Sequence, residues 1–218
     1  MMEQIIKENV MNLPNKITCI RLALIPVFVF FFLADFIPYG KLVAAVVFAV
    51  ACLTDFLDGK IARKRGLVTN LGKFLDPIAD KVLVMAGIVC LVATPIVPNG
   101  GVIEAPAIFP IAVGVVAGIV ILAREFIISA FRQVAATKNL VLAADMYGKV
   151  KAVFQFITLI YYLLLAFMIE EFYYAIEGVA FTVLNVVGYV FLAITVIMTI
   201  VSAWKYVANN IRVLKDAN

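Results

Sequence analysis

The sequence contains no histidine, few charged residues and little cysteine. Of its 218 residues, 65% are hydrophobic, 15% are charged and 3 are cysteines. The absence of histidine excludes Ser-His-Asp and Cys-His nucleophilic sites and the H-E-x-x-H metalloprotease helix. Cys19, Cys52 and Cys90 are scattered through apolar segments without a C-x-x-C pair, so they indicate neither a disulfide framework nor a zinc site. Acid–base chemistry would therefore depend on carboxylates, amines or phenols.

With so little charge, a water-soluble fold could not cover its own surface. The mean hydropathy of +1.10, together with runs close to the ~20 apolar residues that cross a bilayer, predicts an all-α polytopic membrane protein. We expect a single domain over residues 1–218, with a short interfacial amphipathic helix at 1–12 that lacks the features of a signal peptide. Six transmembrane helices are predicted at 17–33, 41–63, 72–94, 106–131, 148–169 and 179–204, separated by polar breaks that include Glu170-Glu171.

The basic residues divide unequally between the two sides of this arrangement. Every Lys and Arg except Lys41 falls on the side that also holds both termini. Because short cytoplasmic loops retain Lys and Arg, both termini are predicted to be cytoplasmic. The net charge of +4 then reflects a basic cytoplasmic face suited to membrane lipid headgroups or phosphorylated substrates, and nothing in the pattern indicates nucleic acid.

Four aspartates lie where a membrane helix should avoid charge. Asp55 and Asp58 belong to the second predicted helix, and Asp76 and Asp80 belong to the third. Spacings of three and four residues put each pair on one face of its helix, and acids at such depth are usually functional. The short connection between the helices predicts an antiparallel hairpin in which Asp58 lies level with Asp76 and Asp55 with Asp80.

Carboxylates gathered in this way require cations. Four of them in a poorly solvated site would repel one another and could not all stay ionised unaided. Because the ligands would be hard oxygens, without His or Cys, the expected cofactors are two divalent ions, magnesium or manganese. Such a pair suits phosphoryl transfer, because it neutralises a diphosphate and stabilises the attacking and leaving oxygens.

Small and basic residues accompany the acids. Gly59 and Ala62 remove side-chain bulk, which would let a base or ribose approach the backbone or would simply permit tight helix packing. Arg63 is able to hold a phosphate by two hydrogen bonds, although its cytoplasmic position alone would account for it. Pro77 is predicted to stand in the first turn of its helix.

In the fourth helix, Gly114 and Gly118 indicate either a close helix contact or an incidental occurrence.

These residues form one continuous pattern. It reads Asp55-x2-Asp58-Gly59-x2-Ala62-Arg63-x8-Gly72-x3-Asp76-x3-Asp80. The pattern resembles the signature of the CDP-alcohol phosphotransferase family. The resemblance implies a six-helix membrane enzyme, commonly homodimeric, that transfers a substituted phosphate from a CDP-linked donor to an alcohol and releases CMP. It also implies that the four aspartates ligate two metal ions, that Asp80 takes the proton of the attacking hydroxyl, and that Asp55, Gly59, Ala62, Arg63 and Gly72 lie at the nucleotide and diphosphate.

Further motifs bear on the acceptor alcohol. Three stretches resemble the bacterial phosphatidylglycerophosphate synthases within that family: Leu13-Pro14-Asn15-x2-Thr18-x2-Arg21, Ala123-Arg124-Glu125-Phe126 and Gly148-Lys149-x-Lys151. This implies CDP-diacylglycerol as donor, glycerol 3-phosphate as acceptor and a multi-pass position in a bacterial cytoplasmic membrane, with the active site open to the cytoplasm. Ala152 departs from the pattern, which has Thr there.

Four cations are candidates for the acceptor phosphate. Arg124, Arg132, Lys149 and Lys151 all fall at the cytoplasmic ends of the fourth and fifth helices. They would bind the phosphate of glycerol 3-phosphate, or they merely follow the charge distribution of the membrane and contact lipid phosphates. Asn15 and Thr18 are candidates for hydrogen bonds to the nucleotide. Thr18 could equally bond to the backbone of its own helix.

Three other functions remain open at this stage. The same chemistry with serine or inositol phosphate as acceptor is one of them. An ion-coupled transporter would also place acids within the membrane, although it would spread them along a route and use broken helices in paired halves. A membrane scaffold would need none of the four aspartates.

Overall fold

In the computed structural model, residues 13–65, 70–93, 96, 108–137, 146–176 and 178–211 are described. For 13–14, 55–65, 70–71, 73–74 and 76 the description covers the backbone alone. Within these ranges the chain forms six helices and no strand. They are α1 (Leu13–Leu33), α2 (Gly40–Arg65), α3 (Asn70–Ala93), α4 (Ile111–Thr137), α5 (Met146–Ile176) and α6 (Val179–Asn210).

The all-helical architecture is confirmed, and each predicted transmembrane segment coincides with one helix. Among the described residues, four stretches are long and apolar enough to cross a membrane: Asn15–Leu33 and the whole of α4, α5 and α6. The apolar part of α2, Gly40–Thr54, is shorter. The predicted interfacial helix at 1–12 lies outside the described residues.

The packing places α5 at the centre of the bundle. Its most apolar window is 44% buried, against 22% for α6, which therefore presents most of its surface to the surroundings. α2 and α6 both pack on α5, α1 packs on α2 and α3, and α4 packs on α3 and α6. The core is rich in aromatic rings, with Phe28 5.3 Å from Phe48 and Phe109 5.1 Å from Tyr162 between ring centroids.

The glycine pair of α4 is a close helix contact. A Cβ atom on Gly118 would lie 2.8 Å from Ile88 Cγ2 of α3. One on Gly114 would lie 3.1 Å from Val92 Cγ2 and 2.2 Å from the Phe109 ring. Because real Cβ atoms do not approach so closely, both glycines let α3 and α4 pack at a distance that a larger residue would prevent.

One sequence prediction is displaced and another is wrong. The break predicted at Glu170-Glu171 falls at the next residue, because two helical segments of α5 meet in a kink at Phe172 (φ −127°, ψ 15°). The second segment ends at Ile176, and the chain turns at Gly178, whose φ is 86°. Glu170 itself is buried against a cation from another helix. Pro77 is not in a first turn, because α3 begins at Asn70 and Pro77 lies about two turns into the helix.

The partner of Glu170 is Lys41, at the start of α2. Lys41 Nζ lies 2.5 Å from Glu170 Oε1 and 3.0 Å from Asp35 Oδ1. The Lys41 and Glu170 side chains are only 3% and 9% exposed, whereas the Asp35 side chain is 74% exposed. The buried pair thus ties the turn between α1 and α2 to the far end of α5.

Breaking this buried pair should destabilise the bundle. We expect Lys41→Met to lower the free energy of unfolding by about 3–5 kcal/mol, because Glu170 would remain buried without a cation. Replacing both partners, as Lys41→Met with Glu170→Leu, should restore most of the loss. Thermal unfolding in detergent measures both variants. Asp35→Asn is the control and should cost at most about 1 kcal/mol, since its carboxylate is solvated. A Lys41→Met protein that unfolds like the parent would contradict this role.

Candidate active site

The four aspartates are carried by two consecutive helices that contact each other. α2 ends at Arg65 and α3 begins at Asn70, so the helices are neighbours joined by a short connection. Asp55 lies ten residues before the end of α2, and Asp80 lies ten residues after the start of α3. In an antiparallel pair this places them at the same height. The Asp80 side chain is half-buried, whereas those of Asp55, Asp58 and Asp76 lie outside the described residues, as do those of Ala62 and Arg63 and the surroundings of Gly59.

α1 brings a polar stripe to the same height. Asn15, Thr18 and Arg21 are at most 1% exposed and continue the face that buries Phe28 and Phe32 further along the helix. α1 ends at Leu33 and α2 begins at Gly40. Thr18 and Asp55 lie the same number of residues from the turn between these two ends, so they are at the same height. Polar side chains are costly to bury in an apolar bundle unless they have partners or a function. Gly72 of α3 is also buried.

A second polar cluster joins α4, α5 and α6. Arg124 Nη2 donates to Ser202 Oγ at 2.6 Å, and Arg124 Nη1 donates to Glu125 Oε1 at 3.2 Å. Lys151 Nζ donates to the same carboxylate oxygen of Glu125 and to Gln155 Oε1. Lys151 and Ser202 are fully buried. We call these five residues the Arg124 cluster.

The cluster carries a net positive charge. One carboxylate, that of Glu125, lies between two cations, so the five side chains sum to one positive charge. Arg124 Nε is buried without a hydrogen-bond partner among the described residues. Since a guanidinium has five N–H donors, Arg124 retains donors for a further acceptor. The arrangement is suited to binding an anion such as a phosphate.

The Arg124 cluster lies on helices that pack against the helix of Asp80. α4 and α5, which carry four of its five residues, both contact α3. The opposite charges of Asp80 and Lys151 attract each other across this packing, as do those of Lys81 and Glu125. Lys151 and Glu170 lie 19 residues apart on α5, which corresponds to roughly 28 Å along the helix at ~1.5 Å per residue. The Arg124 cluster and the buried pair of Lys41 and Glu170 are therefore separated by about the hydrocarbon thickness of a bilayer.

The four candidate cations do not converge. Arg124 and Lys151 share Glu125, whereas Arg132 is exposed, donates from Nε to the Tyr206 hydroxyl at 3.3 Å and lies over that ring. Lys149 is also exposed. The helical period explains the separation of the lysines, because residues two apart on α5 point in nearly opposite directions.

Sequence reasoning missed three residues of this cluster. Glu125 stood within a quoted motif but was given no role, and Gln155 and Ser202 lie beyond the motifs. A signal for them exists in the helical spacing. Gln155 follows Lys151 by four residues, and Ser202 continues the stripe of buried hydroxyls formed by Thr195 and Thr199 on α6. Polar residues repeating on one face of an apolar helix indicate an interior face.

Comparison with known proteins places the chain in a family. The sequence model of the family described as CDP-alcohol phosphatidyltransferase matches residues 11–201. A protein of Bacillus subtilis (strain 168) named CDP-diacylglycerol–glycerol-3-phosphate 3-phosphatidyltransferase is 38% identical over 218 residues, covering 95% of this chain and 99% of its own. A protein of the same name in Rickettsia bellii (strain RML369-C) is 34% identical, over 89% of this chain and 93% of its own. A protein of Arabidopsis thaliana with the same name and the suffix 2 is 36% identical, over 71% of this chain and 65% of its own. The chain therefore belongs to the CDP-alcohol phosphatidyltransferase family.

Proposed function

We propose that this protein transfers the phosphatidyl group from CDP-diacylglycerol to glycerol 3-phosphate, which yields phosphatidylglycerophosphate and CMP. The observation that carries the proposal is that the Arg124 cluster lies on α4 and α5, which both pack on α3, the helix of Asp80. An acceptor whose phosphate binds Arg124 would have its hydroxyl next to a carboxylate able to take a proton. The names of the relatives and the family membership support the same substrates.

Asp80 is the proposed base. It takes the proton of the primary hydroxyl of glycerol 3-phosphate, and the resulting oxygen forms a bond to the phosphorus that carries diacylglycerol. The bond from that phosphorus to the oxygen of CMP breaks, and CMP leaves with the electron pair. The product keeps its acyl chains in the membrane throughout.

Two divalent ions, magnesium or manganese, belong to this proposal as cofactors. The donor set fits them, because Asp55, Asp58, Asp76 and Asp80 offer only carboxylate oxygens and their four charges match two such ions. The contact between α2 and α3 and the equal heights of Asp55 and Asp80 are consistent with one shared site. When bound, the ions would neutralise the diphosphate and stabilise negative charge on the attacking and leaving oxygens.

The nucleotide is proposed to lie between α1, α2 and α3. Asn15 and Thr18 provide hydrogen-bonding groups from a buried stripe at the height of the aspartates. Gly59, Ala62 and Gly72 leave room near the backbone, and Arg63 offers a positive charge for a phosphate. Asp55 would hold an ion at the diphosphate.

The four cations take different parts in acceptor binding. Arg124 binds the acceptor phosphate directly, because it retains donors and is anchored on both sides. Lys151 shares Glu125 with Arg124, so the one net positive charge of the cluster remains for the phosphate. Arg132 and Lys149 are exposed at the same end of the bundle and attract the anionic substrate from water.

The proposed setting is a bacterial cytoplasmic membrane, crossed six times by a homodimeric protein with both termini and the active site on the cytoplasmic side. α2 and α3 have 26 and 24 residues, which is enough to span a bilayer in length. Their acids lie towards one end, so most of each helix remains apolar. The unequal distribution of Lys and Arg supports the orientation.

A panel of acceptors tests this function. Purified protein would be given CDP-diacylglycerol with glycerol 3-phosphate, serine or inositol phosphate, without an ion gradient, and CMP release would be measured. We expect release with glycerol 3-phosphate to exceed release with either other acceptor by at least about 100-fold, since a site that binds a substrate group by buried polar contacts rejects analogues strongly. Equal or faster release with serine would assign a different acceptor. Absence of CMP release with every acceptor would favour transport or a scaffold.

A further inference from the structure

An arginine that recognises an anion needs its guanidinium held in place. The side chain is long and has several rotatable bonds, so an unsupported guanidinium would lose much conformational freedom on binding. Glu125, next to Arg124 in sequence, engages Nη1 from the same helix. A contact from a different helix is needed to fix the direction in which the Arg124 guanidinium points.

Ser202 of α6 provides that contact. Its hydroxyl accepts a hydrogen bond from Arg124 Nη2 at 2.6 Å across 78 residues of sequence, and its side chain is fully buried. The neighbouring hydroxyls on the same face behave differently. Thr199 Oγ1 donates to the carbonyl of Thr195 on its own helix, and Thr195 Oγ1 pairs with Thr158 Oγ1 of α5. Ser202 alone, among these three hydroxyls of α6, contacts a cation of the candidate active site.

Gly148 supports the same geometry from α5. A Cβ atom on Gly148 would lie 3.2 Å from Arg124 Nη2 and 3.8 Å from Ser202 Oγ. The first distance is tighter than most Cβ contacts in proteins, so a methyl group at this position would press on the guanidinium and force it to shift by a few tenths of an ångström. The first turn of α5 therefore leaves a space that the Arg124 guanidinium occupies, with Ser202 closing it from α6.

We infer that Ser202 is a positioning residue for acceptor recognition, which holds the Arg124 guanidinium in the orientation that binds the acceptor phosphate. The inference rests on the proposed function, in which Arg124 binds that phosphate. Ser202 lies one residue beyond the 11–201 range matched by the family model and outside the sequence motifs. Its role follows from the contact between α4 and α6, with Gly148 of α5 beside it.

The test separates acceptor binding from general damage. Ser202→Ala should raise KM for glycerol 3-phosphate about 5–20-fold, because the guanidinium that binds the phosphate would no longer be held in one orientation, and should change kcat and KM for CDP-diacylglycerol less than about twofold. Gly148→Ala should raise the same KM, because its methyl group displaces the guanidinium. Thr199→Ala is the matched control. It removes a buried hydroxyl from the same helix face without touching Arg124, and KM should stay within about twofold of the parent.

Two further variants distinguish the possible failures. Arg124→Gln should raise KM for glycerol 3-phosphate, and adding Ser202→Ala to it should bring no further increase, since the two residues act through one contact. If Arg124→Gln raises KM while Ser202→Ala and Gly148→Ala do not, the positioning role is overturned and the proposed function stands. If Arg124→Gln leaves KM unchanged, the acceptor role of Arg124 is overturned and the inference with it. Should Ser202→Ala fail to fold in detergent, Gly148→Ala decides by the same KM comparison.

Discussion

Asp80→Asn is expected to lower the turnover rate by about 1,000-fold or more while CDP-diacylglycerol still binds. The amide cannot take the proton of the acceptor hydroxyl, and removal of a general base alone costs roughly 100–10,000-fold. The loss of one negative charge would also weaken the hold on a divalent ion. Turnover is measured as CMP release at saturating substrates, and donor binding is measured separately with labelled CDP-diacylglycerol.

Asp35→Asn is the matched control for this experiment. Asp35 lies at the opposite end of the bundle, where its exposed carboxylate contacts Lys41. The substitution makes the same chemical change far from Asp80, and we expect turnover within about twofold of the parent. An Asp80→Asn protein with near-normal turnover would remove Asp80 as the base.

Arg124→Gln is expected to raise KM for glycerol 3-phosphate by about 10–100-fold, with a much smaller change in KM for CDP-diacylglycerol. The size follows from losing charge-assisted hydrogen bonds to a phosphate, each worth about 1.5–3 kcal/mol. The substitution also leaves Glu125 with Lys151 as its remaining cation, which makes the Arg124 cluster neutral. Initial rates of CMP release over a range of each substrate give the two constants.

Lys205→Gln provides the comparison for charge alone. Lys205 lies at the same end of the bundle, where its ammonium group stacks over the Tyr147 ring at 3.7 Å and takes no part in the Arg124 cluster. If acceptor binding depended only on the overall positive charge of this surface, the two substitutions would raise KM equally. We expect the change for Lys205→Gln to stay below about threefold.

Hydropathy was sufficient to predict the all-helical architecture, and the observed helix ends are consistent with the predicted heights of Asp55 and Asp80. Long apolar runs specify membrane helices because the bilayer leaves the backbone few alternatives. The equal heights of Asp55 and Asp80 depend only on the connection between two neighbouring helices, and the observed ends of α2 and α3 preserve them. Local sequence is enough in both cases.

Contacts between distant helices could not be predicted in this way. The polar pair Glu170-Glu171 predicts a break, and α5 does kink one residue later at Phe172, but the burial of Glu170 depends on Lys41, which comes from 129 residues earlier. Lys149 and Lys151 are both candidates for the acceptor phosphate in the sequence, and only the orientation of α5 buries Lys151 against Glu125 and exposes Lys149. Ser202 contacts Arg124 only because α6 packs on α4. Each outcome depends on how helices pack, which hydropathy does not encode.

The central claim is that aspartates from α2 and α3 hold the divalent ions on which transfer depends, and one titration tests it most directly. Purified protein would be stripped of metal with a chelator, and CMP release from CDP-diacylglycerol and glycerol 3-phosphate would be followed as magnesium or manganese is added back. The account predicts that activity falls to background without metal and returns in a saturable manner. Activity that survives complete chelation undiminished would contradict it.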